Sequence, residues 1–428
     1  MSSTRTAKPG TAPRQERFAS SFDKGLLANL VAKRCREIRA PFDIEKMRAA
    51  IWFLQKLSWQ PDHWQAGAFE ISKISRAKFQ KRISPDELER FCLDPHFFSD
   101  EILESVLAYR AEWIAARPAT VQTEISRRVM DALEYAQRNR CLVLVDGLAR
   151  IGKTFAARAW CERSAGLVRL VQTPASNDDQ SFFRAIAKAL GVSASLKLKA
   201  VELRARVEET LAGSGLMLVL DESHYCFPSN WQRYALPSRV NWIMTALVNE
   251  GVPVTLITTP QFLQAQARCE KLTGWTSEQF LGRIGHLEKL PDRLERKDLL
   301  AVAGALLPDS DAKTLGAVAA YAELSQKHLA SIESIATRAA WLAQKDRREI
   351  VTSGDVAKAV HESLRSDPAL ARELNKAPTM KPSSAGNRRG SRARPALATR
   401  LADSDGNAER FSRLDVQPDV ERFGFAKT

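Results

Sequence analysis

Residues 147–154 read Gly147-Leu148-Ala149-Arg150-Ile151-Gly152-Lys153-Thr154. Two glycines with four residues between them run straight into a lysine and a hydroxyl, and each type has a physical use. Glycine lets the main chain curl until several amides face one concavity, which suits phosphate oxygens. Lys153 brings a positive charge to the β- and γ-phosphates of a nucleotide, and Thr154 offers a hydroxyl to Mg²⁺. A helix that follows such a loop presents its positive end to the same anion. The alternative is a chance glycine-rich turn, which would not need a strand before it and a helix after it. Arg150 stands at a position that is often glycine in such loops; it adds a phosphate contact or simply faces solvent.

Two further strand ends carry chemistry. The apolar run 216–220 ends in Asp221-Glu222. Carboxylates at the carboxyl end of a buried strand lie where open α/β sheets bind ligands. Asp221 can hold Mg²⁺ directly or through water, and Glu222 can act as general base toward an attacking water. The run 254–258 ends in Thr258-Thr259-Pro260. Thr259 either hydrogen-bonds the attacking water or γ-phosphate, or only closes a strand-end turn. His224 either reports on the site or, as is commoner, is a capping or packing histidine.

These positions need a scaffold of alternating strands and helices. Val121, Ile125, Val129 and Leu133 recur at helical spacing and lead into it. Strands are expected at 141–145, 167–171, 216–220 and 254–258, with a weaker one at 286–290. Between them helices are expected from the glycine loop to about Ser164, over 180–190 with Gly191 as its end, over 196–212, and up to Gly251. Such alternation implies an α/β fold with a parallel sheet covered on both faces. After Pro291 the strands stop and 293–365 reads as four helices, the last opened by Ser353-Gly354-Asp355-Val356.

The flanks differ. Residues 1–20 are polar and are expected to be a disordered arm. Residues 21–118 read as a helical N-terminal domain, in which Ser84-Pro85-Asp86-Glu87 has the pattern of a helix start. Trp52, Trp59 and Trp64 read as core rather than as a stacking platform, and 71–91 has room for a helix-turn-helix. From 119 to 292 comes the α/β core, from 293 to 365 a helical lid, and from 366 to 428 a disordered basic tail. Lys376, Lys381, Arg388, Arg389, Arg392, Arg394 and Arg400 crowd that tail with no acid among them up to residue 400.

Composition narrows the partners. There are 64 Lys and Arg against 50 Asp and Glu, a formal charge of +14, which favours polyanions and nucleic acid first among them. The six cysteines (35, 92, 141, 161, 226 and 269) form no CxxC pair, which argues against a zinc site or disulfide scaffold and points to the cytoplasm. No apolar run is long enough to span a membrane.

The order of glycine loop, Asp-Glu strand and Thr-Thr-Pro strand continues into Gln279-Phe280-Leu281-Gly282-Arg283-Ile284 and Leu290-Pro291. Over about 120–365 the chain resembles an AAA+ P-loop ATPase. More narrowly, it is similar to the bacterial and phage group that includes phage Mu transposition protein B, TniB-type transposition ATPases and the ExeA secretion ATPase. The resemblance implies Thr259 as the sensing residue and Arg283 as the arginine finger offered to a neighbouring subunit; the alternative for Arg283 is a solvated or salt-bridged helix residue. It also implies ATP hydrolysis with Mg²⁺, self-oligomerisation and DNA binding in transposition target selection, with a transposase or another protein recruited by the N-terminal region. A nucleotide-gated signalling or scaffold ATPase acting on a protein is the alternative. The chain departs from the group in the lid. At Ser325-Gln326-Lys327-His328-Leu329-Ala330 the usual glycine is Lys327 and the usual arginine is Ala330, with Lys327 and Arg338 as the nearby basic residues.

Overall fold

A computed structural model describes residues 24–37, 44–58, 100–117, 120–325 and 328–366. The expected arm and basic tail, the helix start at Ser84, Trp59, Trp64, the 71–91 segment and Lys327 lie outside the described residues. The chain divides into two compact units.

The first unit lies within Met1–Ala119, Val129–Asp146 and Ala157–Lys289. Its centre is a five-stranded parallel sheet in the order β2-β3-β4-β1-β5. The strands are β1 (Leu142–Asp146), β2 (Val168–Gln172), β3 (Met217–Asp221), β4 (Val254–Thr258) and β5 (Ile284–Lys289). β1, β3 and β4 are buried along their whole length, as unbroken apolar runs require in a sheet covered on both faces. β5 lies at the edge, and its residues alternate between half-buried and exposed. Leu144 pairs with Leu256 and Leu256 with Leu220, so Asp146, Thr258 and Asp221 all stand at the carboxyl edge.

Helices α1 (Lys24–Glu37), α2 (Ile44–Ser58) and α3 (Asp100–Ala115) belong to this unit. Val31, Cys35, Met47, Ile51, Trp52 and Phe53 join the same hydrophobic core as Leu144, Leu218 and Leu256. The indole of Trp52 donates to the carbonyl of Ser214 at 3.0 Å. A Cβ at Gly166 (φ +90°) would lie 2.5 Å from the main chain of Trp52, so only glycine permits that approach. Arg169 is buried beneath α2 and donates to Gln55 Oε1 at 3.0 Å; burial lowers its pKa to about 10.

Two expected helices differ. The one expected over 196–212 begins at Ala200 as α7 (Ala200–Leu211), after α6 (Asp179–Leu190). Leu196 is 82% exposed in the turn before it, so its apolar character had imitated a helix face. The helix before Gly251 is α-helical only over α8 (Ser238–Trp242) and continues as a π turn over Ile243–Val248. α9 (Gln261–Thr273) and the short α10 (Glu278–Leu281) complete the unit.

The second unit lies within Thr120–Arg128, Gly147–Ala156 and Leu290–Thr428. It takes the first turn of α4 (Glu124–Asn139), the glycine loop with the start of α5 (Lys153–Arg163), and four helices. These are α11 (Arg296–Leu306), α12 (Ala312–Leu324), α13 (Leu329–Lys345) and α14 (Ser353–Ser366). Thr123 and Ser126 cap α4 reciprocally, at 2.8 and 3.0 Å, and Asp298 accepts from Glu124 N at 2.9 Å. Asp311 caps α12, accepting from Thr314 N at 2.9 Å. Arg348 donates to both carboxylate oxygens of Asp355 at 2.7 Å and fixes the start of α14. No helix among the described residues is long and apolar enough to cross a membrane.

Candidate functional site

The glycine loop leaves β1 at Asp146 and enters α5 at Lys153. Two of its residues have left-handed main chain, Arg150 at φ +66° and Gly152 at φ +98°. The backbone thus accounts for the frequent glycine at position 150, since an arginine there carries a strain of roughly 1 kcal/mol. Space explains the other glycines. A Cβ on Gly147 would come within 2.8 Å of Leu290 Cβ, and one on Gly152 within 2.9 Å of Leu329 Cδ1. Leu329 is the first residue of α13, so the start of that helix packs against the loop. Ile151 is fully buried and anchors the loop's middle, while Leu148 is half-buried and Ala149 is exposed.

Lys153 is buried, and its Nζ donates to the carbonyls of Gly147 at 2.6 Å and Leu148 at 2.5 Å. The ammonium is therefore folded back over its own loop. Thr154 follows in the first turn of α5.

The turn after β3 is equally tight. Asp221 is buried, its carbonyl accepts from Thr173 N at 2.9 Å, and its Oδ1 accepts from Glu222 N at 2.9 Å. Glu222 adopts φ +53°, and its Oε2 lies 3.3 Å from His224 Nδ1. His224 in turn lies against Tyr225, with ring centroids 4.1 Å apart and planes tilted by 42°. The ring contact is the packing part expected of this histidine, and it also sets the imidazole beside the Glu222 carboxylate.

At the end of β4, Thr258 Oγ1 donates to Asp146 Oδ1 at 3.2 Å. Thr259 is also buried, and its hydroxyl has no hydrogen-bond partner among the described residues. Asp146, Asp221, Thr258 and Thr259 thus share one edge of the sheet.

Arg283 is elsewhere. It directly precedes β5, whose Ile284 pairs with Leu142 and Lys289 with Asp146. Six residues of strand at about 3.3 Å each place it some 20 Å from the carboxyl edge. Its guanidinium donates through Nε to Asn249 Oδ1 at 3.0 Å and through Nη1 to the carbonyl of Gln279 at 2.7 Å. In the lid, Ala330 lies in the first turn of α13. Arg338 is committed to Glu362 at 2.8 Å and stacks 4.2 Å from the Trp341 ring.

The loop's own residues suit a phosphate: it has a close-packed glycine cradle and a buried ammonium. At the strand ends, Asp221 is an oxygen donor of the kind Mg²⁺ takes, and the Thr259 hydroxyl has a hydrogen bond to give.

A family model described as an AAA domain matches residues 136–266, a stretch that includes the loop, Asp221, Glu222 and Thr259. Over 122 residues the chain is 28% identical to the Mu-like prophage FluMu DNA transposition protein B of Haemophilus influenzae. That alignment covers 28% of this chain and 42% of the relative, so the chain spans less than half the length of the curated protein it matches. Among solved structures the chain is similar to the ORC2 protein of Aeropyrum pernix in its ADP form (TM-score 0.45, 15% identity, 58% of this chain and 70% of that one). It is also similar to the RuvB Holliday junction branch migration motor of Thermotoga maritima (TM-score 0.38, 16% identity, 59% and 74%).

Proposed function

We propose, from the premise that this chain is an AAA+ ATPase of the transposition group, that it binds and hydrolyses ATP and assembles with copies of itself on DNA. The observation that carries the nucleotide reading is the loop itself. Left-handed main chain at 150 and 152, glycines closed in by Leu290 and Leu329, and a buried Lys153 make a built anion cradle.

Lys153 exchanges its carbonyl contacts for the β- and γ-phosphate oxygens. The amides of residues 147–152 and the start of α5 surround the phosphates. Thr154 and Asp221 would hold Mg²⁺, which when bound would neutralise charge on the phosphates. Glu222 accepts a proton from the water whose oxygen attacks the γ-phosphorus as the bond to the β-phosphate oxygen breaks, yielding ADP and phosphate. Thr259 gives its hydroxyl proton to that water or to the γ-phosphate. Arg283 is far from the carboxyl edge of its own sheet, which favours service to a neighbouring subunit, where it stabilises charge on the transferring phosphoryl group. Oligomerisation is then part of catalysis.

DNA binding rests on charge. The basic residues of 376–400 neutralise phosphates without reading sequence, so affinity falls steeply with salt. Deleting 376–428 should weaken duplex binding and flatten its salt dependence; identical isotherms would remove the tail from this role. Transposition target selection is the biology that best fits this set of activities.

A second reading, a slowly turning scaffold switched by ATP, draws on the lid. Ala330 has no charge to give, and Arg338 is already paired. Turnover measured with and without duplex DNA separates the two. Strong stimulation supports the DNA-bound oligomer, and indifference at low salt supports the scaffold. Titration calorimetry with Mg-ATP tests the shared premise; no heat from the wild-type protein would end both readings.

A further inference from the structure

The segment carrying Arg283 is tied at both ends to the helix that precedes β4. At one end the Trp275 indole donates to Asn241 Oδ1 at 3.0 Å. At the other Arg283 Nε donates to Asn249 Oδ1 at 3.0 Å. Between them Phe280 is fully buried, its ring 6.0 Å from that of Phe262.

Asn249 reaches Arg283 through an irregular helix. After α8 the main chain widens over Ile243–Val248, and Asn249 N donates to the carbonyl of Met244, five residues back, at 3.1 Å. Such π turns are rare and concentrate at functional positions. One additional residue rotates everything beyond it by about 100° relative to a regular α-helix. Here it re-aims an exposed asparagine, which no core packing demands.

The guanidinium is thereby held at two nitrogens. Nε is bound by Asn249, Nη1 by the Gln279 carbonyl, and Nη2 has no hydrogen bond among the described residues. Two bonds to a planar group fix its plane and leave donors for an anion.

We propose that Asn249 is the positioning residue for Arg283. It acts through the arginine, holding the guanidinium in the orientation offered to the phosphates of a neighbouring subunit. The inference rests on the reading of Arg283 as an arginine finger, and the test separates the two. Full-length wild type, Arg283→Ala, Asn249→Ala and Asn249→Lys are assayed for Mg-ATP turnover with duplex DNA, for ATP affinity and for melting temperature. Each variant is then mixed with Glu222→Gln, whose own site is idle but whose Arg283 and Asn249 are intact.

Asn249→Ala should lose about tenfold to a hundredfold in kcat with unchanged KM, ATP affinity and melting temperature, since misplacing a catalytic group by about 1 Å costs that much. Asn249→Lys, which sets a like charge against the guanidinium, should lose more. Adding Glu222→Gln subunits should restore turnover to the Asn249 and Arg283 variants alike, because a sound finger then faces a sound site. Wild-type turnover in Arg283→Ala would overturn the finger reading and the inference with it. An impaired, rescuable Arg283→Ala beside a fully active Asn249→Ala would overturn the inference alone. Impaired Asn249 variants that mixing does not rescue would assign Asn249 a structural part in its own subunit, also overturning it.

Discussion

The glycine loop and the Arg283 segment hold a cationic side chain in opposite ways. In the loop the main chain does the work: positive φ at 150 and 152, two closely packed glycines, and a lysine folded onto carbonyls five and six residues away. Around Arg283 a side chain from far along the sequence completes the arrangement: beside the nearby Gln279 carbonyl, the guanidinium is held by Asn249, 34 residues distant. A site made from its own backbone is written in consecutive letters. A site made by distant side chains is written only in the folded chain.

The largest expected effect tests the loop at its charge. Lys153→Ala should lower Mg-ATP affinity by about two orders of magnitude or more, since a charge-assisted hydrogen bond to phosphate is lost in a buried position; calorimetry measures it, and unchanged affinity would sink the phosphate reading. Glu222→Gln should keep ATP affinity while turnover falls by about 10²- to 10⁴-fold, the usual worth of a general base. Full activity in a single-turnover assay would remove Glu222 from that role.

Gly147→Val should disturb the loop through Leu290, with an expected loss of about 1–3 kcal/mol of stability by thermal or urea unfolding. A variant as stable as wild type would show that the packing there yields easily. Arg150→Gly relieves left-handed strain but frees the unfolded chain, so stability should change by less than about 1 kcal/mol. If ATP affinity also stays level, Arg150 faces solvent; a clear fall would assign it a phosphate contact.

The smallest effect depends on pH and belongs to the lid alone. Hydrogen bonds from Arg348 hold the Asp355 carboxyl down at about 2. Its contribution is therefore present above the ordinary carboxylate value of about 4 and disappears as pH falls toward 2. Discounted for solvent screening, Asp355→Asn should cost about 1 kcal/mol at pH 7 and almost nothing at pH 2. An equal difference at both pH values would refute the ion pair as the cause.

The same contrast governs what the sequence made legible. β1, β3 and β4 are continuous apolar runs and were placeable to within a residue, as were the acids and threonines that end them. The edge strand β5 was shifted because its half-buried positions are Ile284, His286 and Glu288 while the apolar Leu287 is exposed, so residue type does not follow burial there. Leu196 and Leu198 extended a helical pattern, yet the helix starts at Ala200, where Glu202 reaches back to Lys199 N at 2.7 Å. The π turn had no signal, since Ile243–Val248 is as apolar as any buried helix. Nor did the pairing of Asn249 with Arg283, which depends on that turn.

Trp52, Ile51 and Phe53 fill the same interior as the sheet, so α1 and α2 behave as a plug rather than an appendage. A clone cut to start near residue 120 should yield insoluble material, with an apolar hollow open to water. Supplied separately as a polypeptide ending near 119, the missing piece should dock and restore solubility, which makes this boundary a natural place to build a split reporter.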